Sequence, residues 1–196
     1  LRCVVFPLLH LVYRVDILGR ERLADRSGPL LIAANHCLHL DNPLILMALP
    51  RAVRQKTAIA AAEDSIFASW RGRWAALLGN AFPISRDRAP RRSLARIEAV
   101  VAEGYSVLIY PEGKLTVGGP MQPFKLGVGF LAADTGTPVL PILLDVRRFG
   151  LAEGRLWPPR GHVRVLIGDP LSFRQEDTPS AATNAIEAAV RGLAGQ

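Results

Sequence analysis

Short apolar runs alternate along the chain with longer segments whose apolar positions recur at helical spacing. The runs at residues 30–34, 57–61, 81–84, 107–110, 139–144 and 163–167 read as strands. Segments 43–49, 65–78, 90–103, 126–134 and 180–193 read as helices. Such alternation predicts an α/β fold. Pro and Gly cluster at 118–123 and 157–161, which read as loops inside one domain rather than linkers, and no internal repeat is visible. Residues 1–196 are therefore expected to form a single domain.

The first eighteen residues are apolar but are interrupted by Arg2, His10, Arg14 and Asp16, short of the roughly 20 apolar residues of a spanning helix. Two readings of residues 1–18 stand side by side: a basic aliphatic helix lying in a membrane interface, or a helix packed on the core. No small-residue cleavage site follows the run, as a secretory signal would require. Because the sequence starts at Leu1 rather than Met, the expectation is a chain truncated or excised from something longer, with an anchor or a further domain before it.

Composition adds a partner class. With 49% apolar and 21% charged residues the chain can bury a substantial core, and long disordered segments are a poor description of it. The excess of 24 Lys and Arg over 17 Asp and Glu, a net charge of +7, points to an anionic partner: nucleic acid, a phosphorylated small molecule or an acidic membrane surface. Two cysteines, Cys3 and Cys37, are too few for a disulfide framework and have no metal-type spacing, so they read as packing residues in a reducing compartment.

The chemistry concentrates after the run at 30–34, in Asn35-His36-Cys37-Leu38-His39-Leu40-Asp41-Asn42-Pro43. Strand ends are where sites form in α/β sheets. In a regular helix His36 and Asp41 would stand about 140° apart around the axis, so a loop has to bring them together. Pro43 favours the first turn of a helix, with Asn42 or Asp41 as its cap, which leaves His36 in the preceding loop. Asp41 can then fix the tautomer of His36 and leave its other ring nitrogen free to take a proton from an alcohol. Taken alone, a His and an Asp five apart are more often a turn histidine beside a helix cap. Two further strand ends change that balance. Residues 79–86 end in Ser85-Arg86, and Tyr110-Pro111-Glu112-Gly113-Lys114 follows another run, so charged groups gather where an anionic substrate can bind.

Together with Val139-Leu140-Pro141-Ile142, these segments, in this order, resemble the four blocks of the glycerolipid acyltransferase family, the 1-acyl-glycerol-3-phosphate acyltransferases among them. The resemblance covers residues 30–144. It implies a glycerol-3-phosphate acyltransferase-like fold, with a mixed central sheet flanked by helices. It implies His36 as general base and Asp41 as its orienting partner, Arg86 on the substrate phosphate, Glu112 and Gly113 shaping the acceptor site, and Pro141 in the fourth block. The third block commonly continues Gly-Thr-Arg; here it reads Gly113-Lys114-Leu115-Thr116, so Lys114 supplies the charge as a point rather than as a bidentate fork. That form also looks like the acyltransferase halves of fused lysophosphatidylethanolamine acyltransferase and acyl-carrier ligase proteins. Lys125, in a Pro-Phe-Lys continuation, adds charge to the acceptor site.

The implied activity is transfer of a fatty acyl group from acyl-CoA or acyl-carrier protein to a lysophospholipid, lysophosphatidic acid foremost, at the cytoplasmic face of an anionic membrane. The domain is expected there peripherally or through a preceding anchor. Another lysolipid such as lysophosphatidylethanolamine, glycerol 3-phosphate or an amphipathic alcohol stays open as the acceptor. A catalytically silent lipid- or nucleic-acid-binding module is the alternative of another class. The scheme calls for no cofactor and no metal, since a thioester is already activated and needs only a base and oxyanion donors.

Other signals carry less. Gly127-Val128-Gly129-Phe130-Leu131-Ala132 matches a dinucleotide fingerprint in letters only, because no strand precedes it, and close helix packing accounts for its glycines. Arg86, Arg88, Arg91, Arg92 and Arg96 lack aromatic interleaving and any DNA-binding pattern, so no nucleic acid is expected. No nucleophile elbow or phosphate loop occurs. His39 reads as a secondary contact, and Trp70 and Trp74 as core or interface anchors without a role in the site.

Overall fold

The computed structural model describes residues 2–24, 26–63, 79–85, 90–147 and 161–195. Among them one sheet contains Tyr13–Leu18 (β1), Leu31–Ala34 (β2), Thr57–Ala62 (β3), Ala81–Ile84 (β4), Ser106–Ile109 (β5), Val139–Arg147 (β6) and Gly161–Ile167 (β7). The helices are Arg2–Val12 (α1), Asp41–Ala48 (α2), Arg51–Gln55 (α3), Pro90–Ala102 (α4), Gly127–Thr135 (α5) and Pro179–Gly192 (α6).

Strand order is β1-β7-β6-β2-β5-β3-β4. Strands β4, β3, β5, β2 and β6 are mutually parallel, β7 is antiparallel to β6, and β1 is parallel to β7, so the sheet is mixed. The parallel block explains the continuous apolar runs: a strand covered by helices on both faces has no solvent side to make polar. In β2 all four side chains are buried, Ile32 and Ala34 facing one core and Leu31 and Ala33 the other. The first core is closed by α1 and α2 through Leu9, Leu44 and Ile45, and the second by α4, α5 and α6 through Ile97, Leu131 and Ile186.

All six expected strands are present, and the greatest change in length is at β6, which runs on to Arg147. The N-terminal segment is corrected: α1 ends at Val12, and residues 13–18 form β1 instead of continuing the helix. The physical cause is tertiary. Tyr13, Val15 and Ile17 alternate toward the first core, and every residue from Tyr13 to Leu18 finds a register partner on β7, from Gly161 to Leu166. On α1, Leu9 is buried while Val5 and Phe6 pack partly against the same core, and the Arg54 guanidinium stands 5.1 Å over the Phe6 ring. Leu8 stays exposed. No helix among the described residues is long and apolar enough to cross a membrane. A second correction is at α2, which starts at Asp41 with Leu40 in the capping position, so neither Asp41 nor Asn42 is the cap. The short α3 was not expected, and the expected helix at 65–78, with Trp70 and Trp74, lies outside the described residues.

Of the two fingerprint-like glycines, close packing requires Gly129, whereas a methyl group on Gly127 would only touch Leu94 at 3.5 Å. A methyl group on Gly129 would stand 2.1 Å from the Pro179 carbonyl oxygen and 2.4 Å from the Thr183 hydroxyl, so α5 and α6 touch through it. Gly129→Ala is expected to destabilise the fold by about 1–3 kcal/mol, as overpacked sites do. A lowered urea midpoint at constant slope would register it, and an unchanged midpoint would contradict this close approach.

Candidate active site

Because β2, β3, β4 and β5 are parallel, their carboxyl ends meet at one sheet edge, and the segments that follow them are neighbours. Asn35 ends β2 by substituting for a strand residue. Its amide nitrogen donates to the Leu144 carbonyl at 3.0 Å and its carbonyl accepts from Leu144 N–H at 2.7 Å, continuing the ladder to β6 with a side chain. His36, next along, leaves the sheet at its edge.

Asp41, at the first position of α2, folds back onto that turn. Its side chain is fully buried, and its Oδ2 lies 2.7 Å from Nδ1 of His36. The same carboxylate accepts from the backbone N–H of Cys37 at 2.8 Å and of Leu38 at 3.0 Å. One acid therefore sets the shape of the loop and orients the imidazole. Facing an acceptor, Nδ1 carries the proton, and Nε2 keeps its lone pair. His36 itself lines a cavity of about 510 Å³, so the arrangement presents a base to a concave space.

Glu112 is buried, and both of its oxygens are engaged: Oε1 accepts from the His36 backbone N–H at 2.7 Å, and Oε2 from that of Gln122 at 2.7 Å. It thus braces the base and the loop after β5 rather than reaching toward a substrate. The same loop returns through Thr116 N–H, which donates to the His36 carbonyl at 2.8 Å, so the His36 peptide is held on both sides. In Glu112→Gln one amide N–H₂ would face a backbone N–H. The expected cost is about 1–3 kcal/mol of stability. A thermal unfolding curve checks it; a variant as stable as wild type would remove this role.

Gly113 adopts φ 74, and a methyl group there would stand 2.7 Å from Lys125 Cε and 2.9 Å from Lys125 Nζ. The glycine thereby makes room for Lys125 to lie across the loop and line the cavity. Lys114 is exposed on the same loop and is not part of the cavity wall. The Pro-Phe-Lys segment is tethered by Phe124 N–H, which donates to Glu187 Oε2 at 2.7 Å. That bond holds the Glu187 carboxyl below its ordinary value against the opposing effect of burial, with Arg191 assisting. A depressed value means that the tether is present at neutral pH and is lost as pH falls through it. Pro141 sits within β6 against Gly168, whose N–H donates to the Pro141 carbonyl at 2.9 Å, and it does not reach the cavity. Arg86 and Arg88 lie outside the described residues.

The cavity runs between β3 and helices α4 and α5, with Ala60, Ala61, Leu94, Ile97 and Leu131 in its walls. Small side chains on β3 leave the space, and leucine and isoleucine from the helices make it apolar. His39 also lines it. Sequence reasoning missed Tyr110, whose ring stacks on His36 with centroids 4.1 Å apart and an interplanar angle of 16°. Its hydroxyl donates to Asn42 Oδ1 at 2.6 Å. An aromatic residue at a strand end, directly before Pro111-Glu112, was the available signal.

A family model, Acyltransferase, matches residues 14–145, about two thirds of the chain and every residue that lines the cavity. The chain belongs to the acyltransferase family. Among relatives of this acyltransferase chain, a chloroplastic 1-acyl-sn-glycerol-3-phosphate acyltransferase of Brassica napus is 30% identical over 174 residues, covering 84% of this chain and 47% of that protein. The Bos taurus 1-acyl-sn-glycerol-3-phosphate acyltransferase alpha is 27% identical over 185 residues, 89% of this chain and 62% of its own length. The chain spans about half the length of the Brassica relative. The crystal structure of the 1-acyl-sn-glycerophosphate (LPA) acyltransferase PlsC from Thermotoga maritima matches with a TM-score of 0.73 at 21% identity, covering 99% of this chain and 77% of that one, which shows the same fold.

Proposed function

We propose that this domain transfers a fatty acyl group from a thioester to the free hydroxyl of a lysophospholipid, with 1-acylglycerol 3-phosphate as the preferred acceptor, in phospholipid synthesis or remodelling. The observation that carries the reading is the His36–Asp41 pair, 2.7 Å apart, at the wall of an apolar cavity. A base alone serves many reactions; a base beside apolar space suits a substrate with a hydrocarbon chain.

In this reading the acyl chain lies along Ala60, Ile97 and Leu131. Nε2 of His36 takes the acceptor's hydroxyl proton as its oxygen attacks the thioester carbonyl. The new C–O bond forms, the C–S bond breaks, and the departing thiolate takes the proton back from His36. Asp41 holds the ring throughout and faces the positive charge while it exists. Lys125, lining the cavity with Gly113 beneath it, serves the acceptor phosphate, with Lys114 and Arg86 as further cations. The relatives named as 1-acyl-sn-glycerol-3-phosphate acyltransferases support this acceptor. The donor is acyl-CoA or acyl-carrier protein. An amphiphilic acceptor and a net charge of +7 favour work at the cytoplasmic face of an anionic membrane.

Purified protein with labelled acyl-CoA or acyl-carrier protein, offered lysophosphatidic acid, lysophosphatidylethanolamine and glycerol 3-phosphate in anionic vesicles, tests the reading. Labelled phosphatidic acid as the main product is expected. Acylation of another acceptor alone would overturn the headgroup assignment. Lipid binding without turnover of any pair would overturn the enzyme reading.

A further inference from the structure

Among the described residues two contacts orient the imidazole of His36, and only one of them belongs to the His-x4-Asp pattern. Asp41 grips Nδ1 in the plane of the ring. Tyr110 lies against its face, 4.1 Å between centroids and 16° from parallel. We propose that Tyr110 is a positioning residue for His36, its ring face fixing the plane of the imidazole and favouring the imidazolium that forms when the base takes its proton. The inference rests on the assignment of His36 as base.

Neutral aromatic rings pack in offset or edge-to-face arrangements, and a near-parallel contact with centroids 4.1 Å apart is open to them. The contact gains a further attraction when one ring is cationic and lies over the electron-rich face of the other. The Tyr110–His36 geometry therefore gains in the protonated state, the state created during proton transfer. Tyr110 is itself held in place. It lies at the end of β5, at the wall of the cavity, and its hydroxyl donates to Asn42 Oδ1 at 2.6 Å, on the helix that carries Asp41. Both constraints on His36 thus converge on the first turn of α2. Burial, and after it the charges of Asp41 and Cys37, keeps the Tyr110 phenol well above its ordinary value, so the hydroxyl stays a neutral donor. Among the described residues the other ionisable groups around His36 are Asp41 on α2, Cys37 beside it, Glu112 at its backbone N–H, and His39 and Lys125 on the cavity wall. None of these is altered by a change confined to the ring at 110.

The test keeps the shape of the ring and changes its face. Carbon-13-labelled histidine is titrated by nuclear magnetic resonance in three proteins: wild type, Tyr110→Phe, and protein with pentafluorophenylalanine in place of Tyr110. The chain has four histidines, so the signal lost in His36→Ala identifies His36. Tyr110→Phe should titrate close to wild type. The fluorinated ring, whose face no longer attracts a cation, should move the His36 midpoint down by about half a pH unit or more. In the acyl-transfer assay the acid limb of kcat/KM should move the same way, with kcat reduced and the KM for the lysolipid unchanged. A His36 midpoint that does not differ between the Phe and pentafluorophenylalanine proteins would overturn the inference. The titration uses no substrate, so it stands apart from the enzyme reading: undiminished turnover by His36→Ala would sink the base assignment, whatever the titration gives.

Discussion

His36→Ala is expected to lower acyl transfer by at least ~10³-fold, in the upper range for loss of a general base, while leaving the fold intact. The two halves of that expectation come from different atoms. Proton transfer needs the imidazole, and neither acid beside it is free to take over, since Asp41 is spent on two backbone N–H groups and Glu112 on two others. The loop, by contrast, is held through the His36 backbone, which donates to Glu112 and accepts from Thr116 whatever the side chain is. The imidazole is also 23% exposed, so its removal leaves no large buried void. Steady-state kinetics beside a thermal unfolding curve measure both. Residual activity within ~10-fold of wild type would mean that the proton goes elsewhere.

Asp41→Asn separates charge and orientation from shape. Its carboxylate accepts from His36 Nδ1 and from the N–H groups of Cys37 and Leu38. An amide has one accepting oxygen, and the Asp41 oxygen that faces Nδ1, Oδ2, also accepts from Cys37 N–H, while Leu38 N–H reaches both oxygens. If the amide oxygen takes the Oδ2 place, all three donors keep it, and the imidazolium loses the negative charge beside it. If the N–H₂ group takes that place, it drives the proton to Nε2, the nitrogen that must be free, and leaves the Cys37 N–H unsatisfied, so that stability falls as well, by about 1–3 kcal/mol. Either way turnover should fall by ~10²–10⁴-fold, with the larger part in kcat. Nitrogen-15 chemical shifts of the His36 ring distinguish the tautomers, and unfolding reports the second cost. A variant with wild-type kcat, tautomer and stability would show that Asp41 neither orients nor braces.

The chain of support behind His36 is longer than the pair alone. β2 ends in Asn35, which borrows the β6 ladder; Asp41 closes the loop from α2, and Glu112 closes it from the far side. Each contact joins segments far apart in the chain except the one within the His-x4-Asp block. The residue numbers therefore name the participants without revealing that Glu112 is committed to backbone N–H groups.

What the sequence by itself determined follows from local rules. Fully apolar runs such as 31–34 specify strands covered on both faces, because a half-exposed strand would alternate, and their separation by helical segments determined the α/β class. Pro43 and the five-residue spacing determined that His36 stays in a loop while Asp41 enters a helix, since helical geometry would part them. The order of the four blocks carried the family. What only the tertiary structure decided depends on partners distant in sequence. Residues 13–18 became an edge strand because β7 offered hydrogen bonds, whereas their own pattern suited a helix as well. Glu112 became a brace because the His36 and Gln122 N–H groups converge on it. Tyr110 came to stack on His36 because β2 and β5 are parallel neighbours whose ends meet at one edge. Periodicity reports which side of an element is buried; it carries no record of which strand will lie beside it.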